Sequence, residues 1–159
     1  MKYSINALLI LCIAIFLIAC QASPSDSVGL DHVTVEDKDR AKVVRVIDGD
    51  TLDLLISGTK RRVRLFGVDT PERGERCYQE ATERTRELSG EEVLIETGPR
   101  IEDRYGRLLF YLYTSDGRSI DAQLIQEGLA TAWTKDGQYR DSLAGKEQEA
   151  RRLGSGCLW

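Results

Sequence analysis

Carboxylates and arginines gather in three short segments of this 159-residue chain: Asp48-Gly49-Asp50-Thr51, then Arg64 with Asp69-Thr70-Pro71-Glu72, then Asp103-Arg104-Tyr105-Gly106-Arg107. Each segment adjoins a strongly apolar run, which places these side chains at turns and strand ends. Together they are the groups that hydrolysis of a phosphodiester with a hard cation requires. Oxygen ligands hold such a cation and activate water, and guanidinium forks hold a phosphate that gains charge on the way to reaction. His32 is the only histidine. Histidine triads, histidine general bases and most zinc sites are therefore excluded, and any hydrolysis must run on carboxylates, arginines and an oxygen-loving metal.

The elements that must position these groups read as a β-rich domain. Lys42 to Ile47 is β-branched and strand-like, Asp48-Gly49 is a two-residue hairpin signal, and Asp50 to Ile56 is the return strand. Ser57-Gly58-Thr59 turns the chain into a third strand, Arg62 to Val68. A helix follows to Leu88 from Cys77 or Tyr78, with Tyr78, Ala81, Thr85 and Leu88 on one stripe and Ser89-Gly90 as its stop. Val93 to Glu96 and Leu108 to Tyr113 are further strands, and helices are expected over Asp121 to Glu127 and Arg140 to Arg152. Five strands with a helix between the third and fourth give an α+β, mainly β class: an OB-fold five-stranded barrel with about three helices. Arg64 and Asp69 are five apart, so strict alternation along a strand would point them to opposite faces. The site needs a bend between them, and Gly67 is the place for it.

The charge balance is acidic, with 22 Lys and Arg against 26 Asp and Glu and a formal net charge of −4. That argues against a general polyelectrolyte binder. It leaves room for a local cluster (Arg61, Arg62, Arg64, Arg104, Arg107) to dominate over a Debye length of about 8–10 Å.

At the N-terminus, Met1-Lys2 precedes an apolar stretch from Ala7 to Ala19, shorter than the roughly 20 residues that span a bilayer. Leu17-Ile18-Ala19-Cys20 resembles a lipobox. On that reading residues 1–19 are a lipoprotein signal peptide and Cys20 carries the lipid. Residues 20–40 are then a flexible tether, and residues 41–159 form the catalytic domain of an exported, membrane-anchored protein of the cell envelope. The alternative is a cleaved signal or an uncleaved anchor with a chance cysteine. With Cys12 in the signal and Cys20 lipidated, Cys77 and Cys157 remain, and in an exported domain two such cysteines suggest a disulfide; free thiols are the other reading.

The order and spacing of the acid and arginine segments, above all the run from Arg64 to Glu72, resemble the staphylococcal nuclease family, and the resemblance extends from about Lys42 to Trp159. It implies that Asp50, Asp69 and the backbone carbonyl of Thr70 are ligands of a calcium ion. Asp48 corresponds to an acid that orients ligands or waters nearby, and it serves equally as the turn residue of its loop. Glu72 corresponds to the general base for the attacking water, by abstracting its proton or by positioning it. Arg64 and Arg107 match the arginines that grip the reacting phosphate. Arg104 and Tyr105 stand where a second phosphate binds, although the family commonly has Lys at the first of these. The tyrosine pair that stacks a base in the family has no clear counterpart near Thr134; Trp133 and Tyr139 are the candidates to replace it. The implied activity is calcium-dependent cleavage of DNA and RNA at the 5′ P–O bond, leaving 3′-phosphate ends, with no obligatory protein partner. The rival expectation is a catalytically silent OB-fold lipoprotein that only binds nucleic acid.

Overall fold

A computed structural model describes residues 30–32 and 34–159. The export signal, Cys20 and the first half of the tether lie outside the described residues. Five strands close a barrel in the order β1-β2-β3-β6-β5: β1 (Asp39–Val46), β2 (Thr51–Ile56), β3 (Thr59–Leu65), β5 (Glu92–Glu102) and β6 (Leu108–Tyr113). Every neighbouring pair is antiparallel except β3 with β6. A parallel join needs a long crossover, and helix α1 (Tyr78–Ser89) lies in it. Two more helices, α2 (Ile120–Gln126) and α3 (Arg140–Leu153), follow the barrel. This is the OB-fold, α+β and mainly β.

Alternation on β2 and β3 fills the barrel with Leu52, Leu54, Val63 and Leu65, all fully buried, against Leu94 and Leu112 from the other side. Strand β6 departs from alternation, because all six of its residues are buried. A strand covered on both faces reads as a continuous apolar run. Helix α1 buries Ala81, Thr85, Leu88 and Ser89, and the Thr85 hydroxyl donates to the Gly49 carbonyl at 2.6 Å. That bond ties the helix to the loop carrying Asp48 and Asp50.

Three local expectations are corrected. The strand read as Arg62–Val68 is broken: β3 ends at Leu65, the chain bends at Phe66-Gly67, and Val68–Asp69 form a short β4 paired with β7 (Thr131–Ala132). Asp48-Gly49 is not a two-residue hairpin turn. Residues 47–50 form a longer loop in which the Asp48 carboxylate accepts the Asp50 N–H at 3.2 Å. Gly49 is there for close approach, since a Cβ at this position would sit 2.7 Å from the Thr70 hydroxyl oxygen. Finally, the described part of the tether is packed on the domain. Leu30 is in the core, His32 bridges Arg118, and Lys38 pairs with Glu96 at 2.7 Å.

Cys77, at the start of α1, is joined by a disulfide to Cys157 in the C-terminal tail, with the two Cα atoms 5.8 Å apart. The bridge closes a loop of 80 residues, for which the chain-entropy account gives at most about 4–5 kcal/mol. Cys77→Ser should therefore lower the thermal midpoint measurably, and reduction of the wild type should lower it by a similar amount. Unchanged midpoints in both would show that the bridge contributes nothing to stability.

Candidate active site

Arg64 organises the site from the end of β3. Its Nη1 donates to the carbonyls of Leu65 at 3.0 Å and Val68 at 2.9 Å, which fastens the chain on both sides of the Gly67 bend. Its Nη2 lies 2.6 Å from Asp69 Oδ1 and 3.2 Å from Asp50 Oδ2. One guanidinium thus joins two carboxylates 19 positions apart in the chain. Lysine has no planar fork with which to copy this. Asp50 is further held by the Thr51 hydroxyl at 2.9 Å and the Thr70 N–H at 3.4 Å.

The bend that brings Asp69 to Arg64 is built from elements distant in sequence. Asp121, in the first turn of α2, is completely buried. Its Oδ1 accepts the Gly67 N–H at 2.8 Å and its Oδ2 accepts the Leu112 N–H at 3.3 Å. The Gly67 carbonyl in turn accepts the Trp133 N–H at 2.8 Å. No side chain fits at position 67, because a Cβ would collide with Leu143 and come within 2.9 Å of Asp121 Oδ1.

Arg107 is aimed by its own turn. Asp103 Oδ2 accepts from Arg107 Nε at 2.7 Å, and Oδ1 accepts the N–H groups of Tyr105 and Arg107 at 2.9 and 3.0 Å. Although burial pushes the other way, these hydrogen bonds hold the Asp103 carboxyl below the usual carboxylate range. Arg107 Nη1 reaches the Thr51 hydroxyl at 3.3 Å, so the guanidinium faces the carboxylate group across β2.

Two cavities result. The first, about 210 Å³, is lined by Asp48, Asp50, Arg64, Asp69, Thr70, Pro71, Glu72 and Arg107, and its wall is almost wholly polar. The second, about 380 Å³, is cationic and aromatic, with Phe66, Arg100, Arg104, Tyr105, Trp133 and Lys135 on its walls together with Arg64 and Arg107. The two arginines are common to both. The structure therefore gathers Asp48, Asp50, Asp69, Thr70, Glu72, Arg64 and Arg107 around one chamber, and sets Arg104 and Tyr105 in the cleft beside it. Glu72 is exposed, and its carboxylate makes no hydrogen bond or ion pair among the described residues. Of the aromatic candidates, Trp133 lines the cleft with the Arg64 guanidinium 5.5 Å from its ring. Tyr139 is committed elsewhere: its hydroxyl donates to Glu96 at 2.8 Å and its ring packs edge-on against Tyr111.

The chamber's donors suit a hard cation. They are all oxygen, with no nitrogen or sulfur ligand among them, and burial together with the charge of Asp50 pushes the Asp48 carboxyl up. Among the described residues no three acidic, histidine or cysteine side chains converge as a ready cage. An all-oxygen donor set of this kind is the chemistry a hard cation takes, with much of its shell left to water and substrate.

Sequence reasoning missed Asp121, the β4–β7 pair and the aiming role of Asp103. Asp121 looks like an ordinary acid in a helix's first turn. Its one visible signal is its company, since Ile120, Ala122, Leu124 and Ile125 around it are apolar.

A family model described as "Staphylococcal nuclease homologue" matches residues 62–159. The chain is 36% identical over 129 residues to a micrococcal nuclease of Shigella flexneri, covering 76% of this chain and 73% of that one. It is 31% identical over 166 residues to a thermonuclease of Staphylococcus hyicus, covering 96% of each. Endonuclease YncB of Bacillus subtilis is 38% identical over 135 residues, covering 74% of this chain and 63% of the relative.

Complete burial pushes the Asp121 carboxyl up to about 7, against the pull of its two N–H partners, from an ordinary value of 3.8. Between about pH 4 and 7 the native state then keeps a proton that the unfolded chain has released, and the stability this contributes is lost as pH rises through 7. Wild type should therefore lose more stability over that window than Asp121→Asn, as read by denaturant unfolding at each pH; parallel curves would refute the assignment. Asp121→Ala leaves two buried N–H groups unpaired, at about 1–3 kcal/mol each.

Proposed function

Because this chain belongs to the staphylococcal nuclease family, we propose that it is a calcium-dependent endonuclease cutting DNA and RNA with little sequence preference and leaving 3′-phosphate ends. One observation carries the reading: the carboxylate chamber and the cationic aromatic cleft share Arg64 and Arg107 as their common wall. A phosphodiester bound there presents its phosphate to both guanidiniums, its neighbouring nucleotide to the cleft and its line of attack to the carboxylates.

The roles follow from the environments. Asp50, Asp69 and the Thr70 carbonyl would hold the calcium ion, with Asp48 steering waters beside them. When bound, the cation supplies Lewis-acid polarisation and charge neutralisation at a phosphoryl oxygen. Arg64 and Arg107 donate to the oxygens on which charge develops, a contribution of the order of 10²- to 10³-fold for each well-placed donor. Glu72, whose carboxylate has no hydrogen bond or ion pair among the described residues, takes the proton of the attacking water as that water's oxygen bonds to phosphorus. The bond to the 5′ oxygen breaks, and that oxygen takes a proton from solvent. Trp133 offers a face for a base, and stacking of this kind contributes about 1–3 kcal/mol. Arg104 and Tyr105 receive the neighbouring phosphate. Outside the described residues, lipid on Cys20 would hold the enzyme at the envelope membrane, with the intervening segment as tether.

Activity on single-stranded DNA should vanish with chelator and return with calcium. Glu72→Gln should lose about 10²-fold or more in kcat while still binding calcium, and Arg107→Lys at least about tenfold because a point charge cannot copy the fork. Full turnover in excess chelator would overturn the metal assignment. Near-normal rates in both variants would favour a binding protein over an enzyme.

A further inference from the structure

On the outer face of the barrel, next to the site, lies a cationic group that the chemistry above does not use. In the pairing of β2 with β3, Arg64 stands opposite Thr51, Arg62 opposite Asp53 and Lys60 opposite Leu55. Across β1, Arg45 also stands opposite Asp53. Positions 60, 62 and 64 therefore share one face at a repeat of about 6.8 Å, and Arg64 is the member at the scissile position. Asp53, only 2% exposed, sits beneath the group. Its oxygens accept from Arg45 Nε at 2.9 Å and Arg62 Nε at 2.9 Å, with Lys60 Nζ at 3.9 Å.

A structural ion pair would need one cation. Three around one carboxylate leave an excess of positive charge on a chain that is acidic overall, and the three side chains remain 60%, 46% and 60% exposed for Arg45, Arg62 and Lys60. Asp53 is buried, but the cationic heads around it are solvated, so each adds less to stability than a fully buried pair partner would. Asp53 engages Arg45 through Nε, and among the described residues both terminal nitrogens of that guanidinium remain free to meet an oxyanion. Fixing long cations in advance reduces the ordering cost of binding. The group also adjoins the chamber, since Arg62 and Arg64 are alternate residues of β3, opposite Asp53 and Thr51 of β2.

We infer that Arg45, Lys60 and Arg62, preorganised on Asp53, form a phosphate-binding track for the nucleic-acid strand on the side of the scissile bond away from the Trp133 cleft. An endonuclease must hold chain on both sides of the bond it cuts, and the cleft holds one side. The inference rests on the nuclease reading. Contacts to the backbone position the strand without reading its sequence, and their loss shows as salt dependence.

The test compares a long single-stranded oligonucleotide with a dinucleotide. Arg45→Ala/Lys60→Ala/Arg62→Ala should raise KM on the long strand by about fivefold or more. It should also flatten the slope of log kcat/KM against log salt by about 2, from roughly 0.7 per lost contact on a single strand, with kcat and the dinucleotide rate unchanged. Arg45→Lys/Arg62→Lys should keep the slope. Lys60→Ala alone, which breaks no hydrogen bond to Asp53, should raise KM on the long strand by about twofold. Equal losses on both substrates, or none on either, would overturn the track. So would a triple variant that detaches from vesicles rich in anionic lipid while its KM on the long strand holds, because the face would then serve the membrane. If wild type cut neither substrate, the nuclease reading would fall. The track would then be judged on equilibrium binding of the long strand in chelator, where the triple variant must still lose salt slope.

Discussion

The site depends on one buried carboxylate. Asp121 sits at full burial between the amides of Gly67 and Leu112, and that pairing decides where the chain can go after β3. An unbent strand would send Arg64 and Asp69 to opposite faces, because five residues is an odd step. The Phe66-Gly67 bend absorbs the mismatch, and it persists because its N–H and carbonyl are both taken by distant parts of the chain, Asp121 and Trp133. Desolvating a carboxyl is costly unless it is hydrogen-bonded. Here the cost is offset by two backbone donors that would otherwise themselves be buried without partners.

That bend also explains why Arg64 and the rest of the site are not separable. Arg64 donates to the carbonyls of Leu65 and Val68 with one nitrogen and to Asp69 with the other, which also forms an ion pair with Asp50. The residue assigned to the phosphate is therefore part of the frame that shapes the acidic chamber. Arg107 is different. Its frame is local, the Asp103 turn, and beyond Asp103 its side-chain hydrogen bonds among the described residues reach only the Thr51 hydroxyl. Loss of Arg107 disturbs a donor, whereas loss of Arg64 disturbs a donor and the bend together.

How much of this was legible in the sequence follows from how local each feature is. The barrel strands and α1 carry their own periodicity, and the acid and arginine segments carry theirs in residue type and spacing, so the order of strands and the membership of the chamber could both be read. The Asp48-Gly49 signal misled because tight packing of Gly49 on Thr70, not a left-handed turn, is what requires glycine there. The β4–β7 pair and Asp121 were not legible. Two-residue strands have no period, and a single acid among apolar residues in a helix's first turn looks like a dipole effect until its partners from β6 and the bend are known. The packing of Leu30, His32 and Lys38 on the domain was not legible for a related reason, since it rests on long-range contacts that composition does not reveal.

An overall charge of −4 does not conflict with a polyanionic substrate once the placement of the cations is considered. Arg64, Arg100, Arg104, Arg107 and Lys135 line a single cleft, and Arg45, Lys60 and Arg62 surround Asp53 on the adjoining face. Many of the acids lie elsewhere, on the helices, where they pair locally: Glu83 and Glu87 on α1 with Arg86 and Arg84, and Glu147 and Glu149 on α3 with Arg151 and Arg152. Exposed charges farther away than a Debye length of about 8 Å are largely screened at physiological salt. A strand at the site therefore responds to the local arginines far more than to the chain's sum. The same screening keeps the grip modest at a distance, which suits an enzyme that must release its cut ends.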